Sequence, residues 1–332
     1  MQVNTIKWGI LGTSFISEVM ANAIHESETS ELIAVGSRSL TTAVKFSNQF
    51  SIPKYYDNYE ALLNDHEINA IYIGLPNHLH KEWIVRSARA GKHILCEKPF
   101  VISVDEAKEV IAILEQANVF CMEALMYRCH PLIKKLQELV QNKIIGDVKL
   151  YTATYTANIA DIANATAGGS IRNLGCYPVS LVRLLAQAEP IEIRALGKMN
   201  PHNKTDNQSS VILKFENNAM AVISTADNLE MFWQFDMYGT EGRLKVVTNP
   251  WLPTCDNNKI IIERHNEKTP TELNIAAAKS LYTYQIDTVN LNINKKALLD
   301  DDGISLLDSL GNTIVLENWL QQVKDANLNL FR

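Results

Sequence analysis

One lysine stands where chemistry is possible: Glu97-Lys98-Pro99 closes the apolar run Lys92 to Glu97 (KHILCE). At the carboxyl end of a buried strand, a lysine can serve a hydroxyl-to-carbonyl interconversion in two ways. Desolvated, it can exchange a proton with the substrate oxygen. Charged, it can stabilise a developing alkoxide. Spacing alone does not separate either role from that of a surface lysine following a strand. A second candidate, Tyr177, falls in the first turn of a helix opening at Gly175-Cys176-Tyr177-Pro178. By pattern alone it reads as a half-buried core tyrosine.

Two further places could hold a charged ligand. The first turn reads Gly9-Ile10-Leu11-Gly12-Thr13-Ser14-Phe15-Ile16-Ser17. A dinucleotide fingerprint places glycines at 12, 14 and 17, and only Gly12 is present, with serines at the other two positions. Serine is small enough to let the backbone approach a pyrophosphate. The helix after this turn supplies amide donors and the positive end of its dipole. The second strand ends Gly36-Ser37-Arg38-Ser39, where NAD-binding proteins often carry an acid for the ribose 2′-hydroxyl. A guanidinium there can pair with a 2′-phosphate or lie over an adenine, which points to NADP in preference to NAD.

The elements that must position these residues alternate. Thr5–Leu11, Glu31–Ser37, Asn69–Gly74, Lys92–Glu97 and Val119–Glu123 read as apolar strands. Helices fall between them, near 15–23, 78–90 and 103–117. Gly91 suits a helix C′ position. Ser103 with Glu106 three residues on forms a capping box. This is the pattern of a doubly wound parallel sheet. Ligands of such sheets bind beyond the carboxyl ends of the strands.

From about Ala124 the pattern changes. A helix is expected at 131–142, followed by alternating strands near 147–156, 191–198, 209–215, 220–225, 232–238 and 243–248. Short turns between them imply an open, mostly antiparallel sheet with one face on helices and the other free to meet a second subunit. The expected division is a dinucleotide-binding Rossmann domain over 1–123 and an α/β domain for substrate and oligomerisation over 124–332. The C-terminal helix, near 304–323, has the option of packing back on the first.

The bulk numbers exclude several classes. The chain has 332 residues, a formal net charge of -6 and 46% hydrophobic residues. That balance argues against nucleic acid or an anionic membrane surface as partner. Residues 1–7 show no apolar leader, and no run of 18 apolar residues occurs. The five cysteines, widely spaced and without a C-x-x-C, read as reduced thiols of a cytoplasmic protein. His78 and His80 lack an acidic or cysteine neighbour at ligand spacing, so no metal site is expected. His130, before Pro131, reads as a helix-start residue.

Taken in order along the chain, WGILGTSFIS (8–17), SRS (37–39), LPNHLH (75–80), AGKHILCEKPF (90–100), MEALMYRCHP (122–131), GCYP (175–178) and DSLGN (308–312) resemble the glucose-fructose oxidoreductase/inositol dehydrogenase/rhizopine-catabolism (Gfo/Idh/MocA) family. The nearest likeness is to its dimeric dihydrodiol dehydrogenase and xylose dehydrogenase branch. The resemblance implies that Lys98 is the catalytic lysine and that Tyr177 acts with it. It implies cofactor contacts from Gly12, Thr13, Ser14, Phe15 and Ile16, from Ser37 and Arg38, and from Leu75, Pro76, Asn77, His80 and Glu97. It puts Arg128 near the nicotinamide or substrate. It also implies dimerisation, or a homotetramer, through the open sheet.

Asn173 replaces an acid common in the family. It can hydrogen-bond a substrate hydroxyl but cannot act as a carboxylate base. The activity implied is NAD(P)-dependent oxidation or reduction at a CH–OH group of a sugar, polyol or trans-dihydrodiol. Two alternatives stay open. One is a redox-neutral glycoside-processing enzyme with tightly held NAD(P). The other is a non-catalytic dinucleotide sensor.

Overall fold

In the computed structural model of the chain, the described residues are 4–166, 168–295 and 303–328, so the first three residues of the N-terminal stretch lie outside them. The chain divides into two compact units, Met1–Cys129 with Lys279–Leu310, and His130–Ala278 with Gly311–Arg332.

The first unit begins as alternating strands and helices: β1 (Ile6–Leu11), α1 (Phe15–Glu26), β2 (Ser30–Gly36), α2 (Leu40–Gln49), β3 (Lys54–Tyr56), α3 (Tyr59–Leu63), β4 (Ala70–Ile73), α4 (His80–Arg89), β5 (His93–Glu97), α5 (Val104–Ala117) and β6 (Cys121–Ala124). The strands form one parallel sheet in the order β3-β2-β1-β4-β5-β6. All four residues of β4 are buried, as a strand covered on both faces requires. α1 buries Ser17, Met20, Ala21, Ala23 and Ile24 at helical spacing; Phe15, Ile16 and Val19, which the sequence pattern puts on the same face as Met20 and Ala23, are exposed or half-buried.

At the start of α5 the Ser103 hydroxyl accepts from the Glu106 amide at 3.2 Å. The Glu106 carboxylate accepts from the Ile102 amide rather than from that of Ser103, so the return half of the capping box is displaced by one residue. Gly91 takes a positive φ of 70° and ends α4.

The second unit opens with α6 (Pro131–Gln141), whose N-cap is the His130 ring accepting from the Leu132 amide at 3.1 Å. Then come β7 (Val148–Asn158), α7 (Cys176–Ala186), β8 (Glu192–Met199), β9 (Asp206–Lys214), β10 (Met220–Ala226), β11 (Asn228–Gly239), β12 (Gly242–Val246), β13 (Asn258–Arg264) and β14 (Thr271–Ile275). Their order is β14-β13-β12-β11-β7-β10-β9-β8. Every pairing is antiparallel except β7 with β10.

Two features of this sheet differ from the sequence reading. β13 and β14 extend it beyond the last strand expected from the sequence, the one near 243–248. The parallel pair joins strands distant in sequence, and strand order is not written in a period of two.

The two faces of this sheet differ. Val211, Leu213, Ala221 and Ile223 are fully buried on one. On the other, Ile212 pairs with Val222 and with Arg194, and these side chains, with Leu196 and Met220, are exposed.

After the sheet, α8 (Leu281–Lys295) rejoins the first unit, packing on α1 and on the turn Met126–Cys129. There the Asn290 carbonyl accepts from the Trp8 indole at 3.1 Å, and its amide donates to the Ser30 hydroxyl at 2.7 Å. The boundary between units then falls inside α9 (Leu306–Ala326). Within the second unit, Trp319 of α9 is fully buried. Its indole donates to Ser209 on the inner sheet face at 2.5 Å, and Gly175 leaves room for its ring.

Candidate active site

The carboxyl ends of β2, β1, β4 and β5 lie side by side, and the candidate residues of the first unit gather along this rim. Gly12 has φ +98°, and a Cβ there would meet the Gly74 carbonyl oxygen at 2.8 Å. Only glycine fits both constraints. The turn is knitted to its neighbours by Gly12 N–H to Gly36 O (3.0 Å) and Gly74 N–H to Leu11 O (3.0 Å).

Ser14, by contrast, has ordinary extended backbone (φ -80°) and does not need to be glycine. Its hydroxyl lies 3.1 Å from that of Ser17 and donates to Gly74 O at 3.3 Å. The two serines therefore brace the turn from inside. No side chain caps α1, which leaves its first-turn amides aimed outward with the helix dipole behind them. Thr13 and Ile16 are half-buried beside this turn, and Phe15 is 78% exposed.

A second anion-ready point follows β2. Ser37 is buried, its hydroxyl 2.6 Å from that of Thr42, and Arg38 is exposed. The N-cap of α2, Ser39, makes no side-chain capping bond. Burial raises the Tyr59 hydroxyl pKa, and the adjacent Arg38 opposes that rise. The close approach at Gly12, the open helix start and the arginine after β2 fit a dinucleotide phosphate chain.

The Lys98 turn is fixed from several sides. Lys98 is half-buried, and its peptide bond to Pro99 is cis. The Lys98 amide donates to the Glu97 carboxylate at 3.2 Å, and the Tyr72 hydroxyl of β4 donates to the same group at 2.7 Å. Burial pushes the Glu97 carboxyl above the usual carboxylate range, against the Lys98 charge and the Tyr72 hydrogen bond. Next in the chain, the Phe100 amide donates to Glu123 of β6 at 2.9 Å. Glu123 is 1% exposed and its pKa is pushed up by burial to about 7. The ring of His80, wholly enclosed, reaches the carbonyls of both Pro99 and Leu75. Both ring nitrogens face backbone carbonyls. Of the loop between, Leu75 is buried, Pro76 exposed and Asn77 half-buried.

Arg128 is buried in the turn after β6 and pairs with Asp308 at 2.6 Å, on the unit's own stretch of α9. Sequence reading found Arg128 but missed Glu123 and Tyr72, which hold the lysine turn in place. The available signal for Glu123 was a lone carboxylate in the otherwise apolar strand CMEA.

In the second unit, Tyr177 lies in the first turn of α7, 8% exposed, edge-on to the Tyr155 ring with centroids 5.5 Å apart. A wide π-helical turn, Ile171–Gly175, precedes it, a form often met at functional positions. The Asn173 amide donates to the carbonyls of Gly168 (3.2 Å) and Gly169 (2.9 Å), closing the loop that leads into this turn. Asp206 accepts from the Ser170 hydroxyl at 2.8 Å and the Ile171 amide at 2.6 Å. Among the described residues, no group of three or more His, Cys, Asp or Glu is disposed to hold a metal. No helix there is long and apolar enough to cross a membrane.

A parallel sheet whose rim joins an open helix start to a braced lysine defines a dinucleotide-dependent oxidoreductase. Comparison with known proteins agrees. Residues 6–125 match the model described as oxidoreductase family, NAD-binding Rossmann fold, and 133–245 match the GFO/IDH/MocA C-terminal domain. The chain belongs to the Gfo/Idh/MocA family of oxidoreductases.

Among relatives, it is 34% identical to D-xylose 1-dehydrogenase (NADP(+)) 2 of Haloferax volcanii, over 72% of this chain and 74% of that one. It is 29% identical to trans-1,2-dihydrobenzene-1,2-diol dehydrogenase of Xenopus tropicalis, over 96% and 98%. The fold is shared with a 3-ketoreductase of Actinomadura kijaniata solved with NADP and TDP-benzene, at TM-score 0.89 and 23% identity, covering 96% and 98%.

Proposed function

We propose that this chain is an NADP-preferring dehydrogenase or reductase acting at a secondary alcohol or carbonyl of a sugar, polyol or trans-dihydrodiol, with Lys98 and Tyr177 handling the proton. The observation that carries the reading is the bracing of Lys98. A flexible side chain is mounted on a turn tied down through Glu97, Tyr72, Glu123 and His80, which is how a catalytic group is held against a substrate atom. The relatives named for xylose and dihydrodiol support the substrate class, and Arg38 with Ser37 supports the 2′-phosphate.

The nicotinamide, when bound, supplies or accepts the hydride. Lys98 and Tyr177 act at the substrate oxygen. In oxidation the hydroxyl proton leaves through this pair while the ammonium stabilises the developing alkoxide. In reduction the proton returns by the same route. The two groups are treated as one proton-handling unit. Asn173, occupied with loop carbonyls, serves to shape the approach to Tyr177.

A second copy of the chain is proposed to cover the bare face of the eight-stranded sheet, giving a homodimer or homotetramer. The exposed Leu196, Ile212, Met220 and Val222 support this. Reduced thiols at Cys96, Cys121, Cys129, Cys176 and Cys255 support a reducing compartment, the cytoplasm.

The test is a cofactor-binding assay followed by a panel of aldoses, polyols and dihydrodiols with NAD and NADP. Cofactor reduced in proportion to product supports the reading. Product formed without net cofactor consumption overturns it in favour of redox-neutral chemistry. Binding without turnover of any member favours a sensor.

A further inference from the structure

His80 opens α4 and is 0% exposed. Its Nδ1 lies 2.8 Å from the Pro99 carbonyl oxygen and its Nε2 lies 2.8 Å from the Leu75 carbonyl oxygen. Both oxygens can only accept. A neutral imidazole has one N–H, and its other nitrogen would turn a lone pair toward a carbonyl oxygen. An imidazolium has two N–H groups and satisfies both partners.

We propose that His80 is a positioning residue that takes up a second proton to tie the Leu75–Asn77 loop to the Lys98–Pro99 turn, and that cofactor binding is linked to this proton. The proposal rests on the proposed function, in which a nicotinamide cofactor binds along this rim.

The balance of forces makes the second proton weakly held. Burial is the largest influence and favours the neutral ring. The backbone groups of Pro99, Leu75 and Phe100 oppose it, and the Lys98 charge reinforces it. Charged groups on the neighbouring strands and helix are engaged elsewhere. Glu97 serves the Lys98 amide, Glu123 serves the Phe100 amide, and Lys81 on the next position of α4 pairs with Glu109 of α5. A dinucleotide brings negative charge and a contact surface to the same loop, which favours the cationic ring. By linkage, cofactor affinity is highest at low pH and weakens as pH rises through the His80 pKa of the complex.

The experiment uses the full chain and NAD⁺, whose own groups do not titrate between pH 5 and 8. Affinity and proton uptake are measured by calorimetry across that range, in buffers of different ionisation enthalpy. Wild-type protein is expected to take up a proton on binding and to lose affinity as pH rises, approaching roughly tenfold per unit. His80→Gln keeps one donor and cannot titrate, so its profile should be flat by comparison.

In parallel, ¹⁵N-histidine spectra of the NAD⁺ complex at pH 5 should show one ring with two exchange-protected N–H protons. His130 cannot give this signal, because its Nδ1 accepts from the Leu132 amide. Equal profiles for wild type and variant, or a single ring N–H, would overturn the proposal. Absence of both NAD⁺ and NADP⁺ binding at every pH would instead overturn the cofactor reading, and with it the linkage; where only NADP⁺ binds, the ring signal is read in its complex and decides. If the variant does not fold, wild-type proton uptake and the ring signal decide.

Discussion

The two sheets use their surfaces differently. The six-stranded parallel sheet is covered on both faces and offers only its rim. Gly12, Ser37, Gly74 and Lys98 are all residues at or just past a strand end, brought together by strand order. The eight-stranded sheet leaves one face bare, and its exposed residues alternate along β8, β9 and β10. A rim collects single residues from distant parts of the chain, which suits chemistry. A face repeats one kind of contact over a wide area, which suits association. The first therefore depends on a few side chains, and the second on many.

Substitutions can break this contrast. Lys98→Ala should lower turnover by roughly 10²-fold or more with cofactor affinity retained; steady-state kinetics beside a binding titration check it. Near-normal turnover would remove the lysine from the chemistry. On the bare face, Ile212→Asp combined with Val222→Asp should weaken self-association by at least roughly tenfold, as charge is forced into an apolar contact. Sedimentation equilibrium reads this, and an unchanged assembly would mean the subunits meet elsewhere. Arg38→Ala should lower NADP affinity by roughly tenfold and leave NAD nearly untouched. An equal loss for both would place the arginine on the shared part of the dinucleotide.

The smallest effect concerns Glu123. Its folded pKa, about 7, lies above its ordinary 4.5. It therefore contributes stability that is full below about 4.5 and is lost as pH rises through about 7. Glu123→Gln keeps the acceptor for the Phe100 amide and removes the titration. Its melting temperature should fall less than wild type's between pH 5 and 8, by about 2–4 °C. Parallel curves would show that another group governs that window.

Much of the rim was legible because strand ends carry punctuation. Gly12, Gly74 and Pro99 each interrupt an apolar run, and ligands of a parallel sheet bind just past such interruptions. The bracing was not legible. Tyr72 and Glu123 act on Glu97 and Phe100 from neighbouring strands, and His80 acts on Pro99 from the start of α4; no sequence spacing encodes these contacts. In the second unit the alternation of β9 and β10 was plain, since Val211 and Ile212 face opposite sides. β14, with residues Thr271–Ile275 at the sheet edge and none fully buried, offered too weak a pattern to be read. The two bonds from the Asn173 side-chain nitrogen to the carbonyls of its own loop are set by a local turn, and composition does not encode them.

The brace between Ser14 and Ser17 bears on how such proteins tolerate change. A phosphate-binding turn built on three glycines has little room for substitution, since each site demands a missing side chain. Here only Gly12 carries that demand, and the rest is held by hydroxyls on ordinary backbone. Alanine at 14 would cost a hydrogen bond or two rather than the turn itself. Substitution at that position is therefore a matter of hydrogen bonds and not of backbone conformation, and a search keyed to the full three-glycine fingerprint passes over this turn.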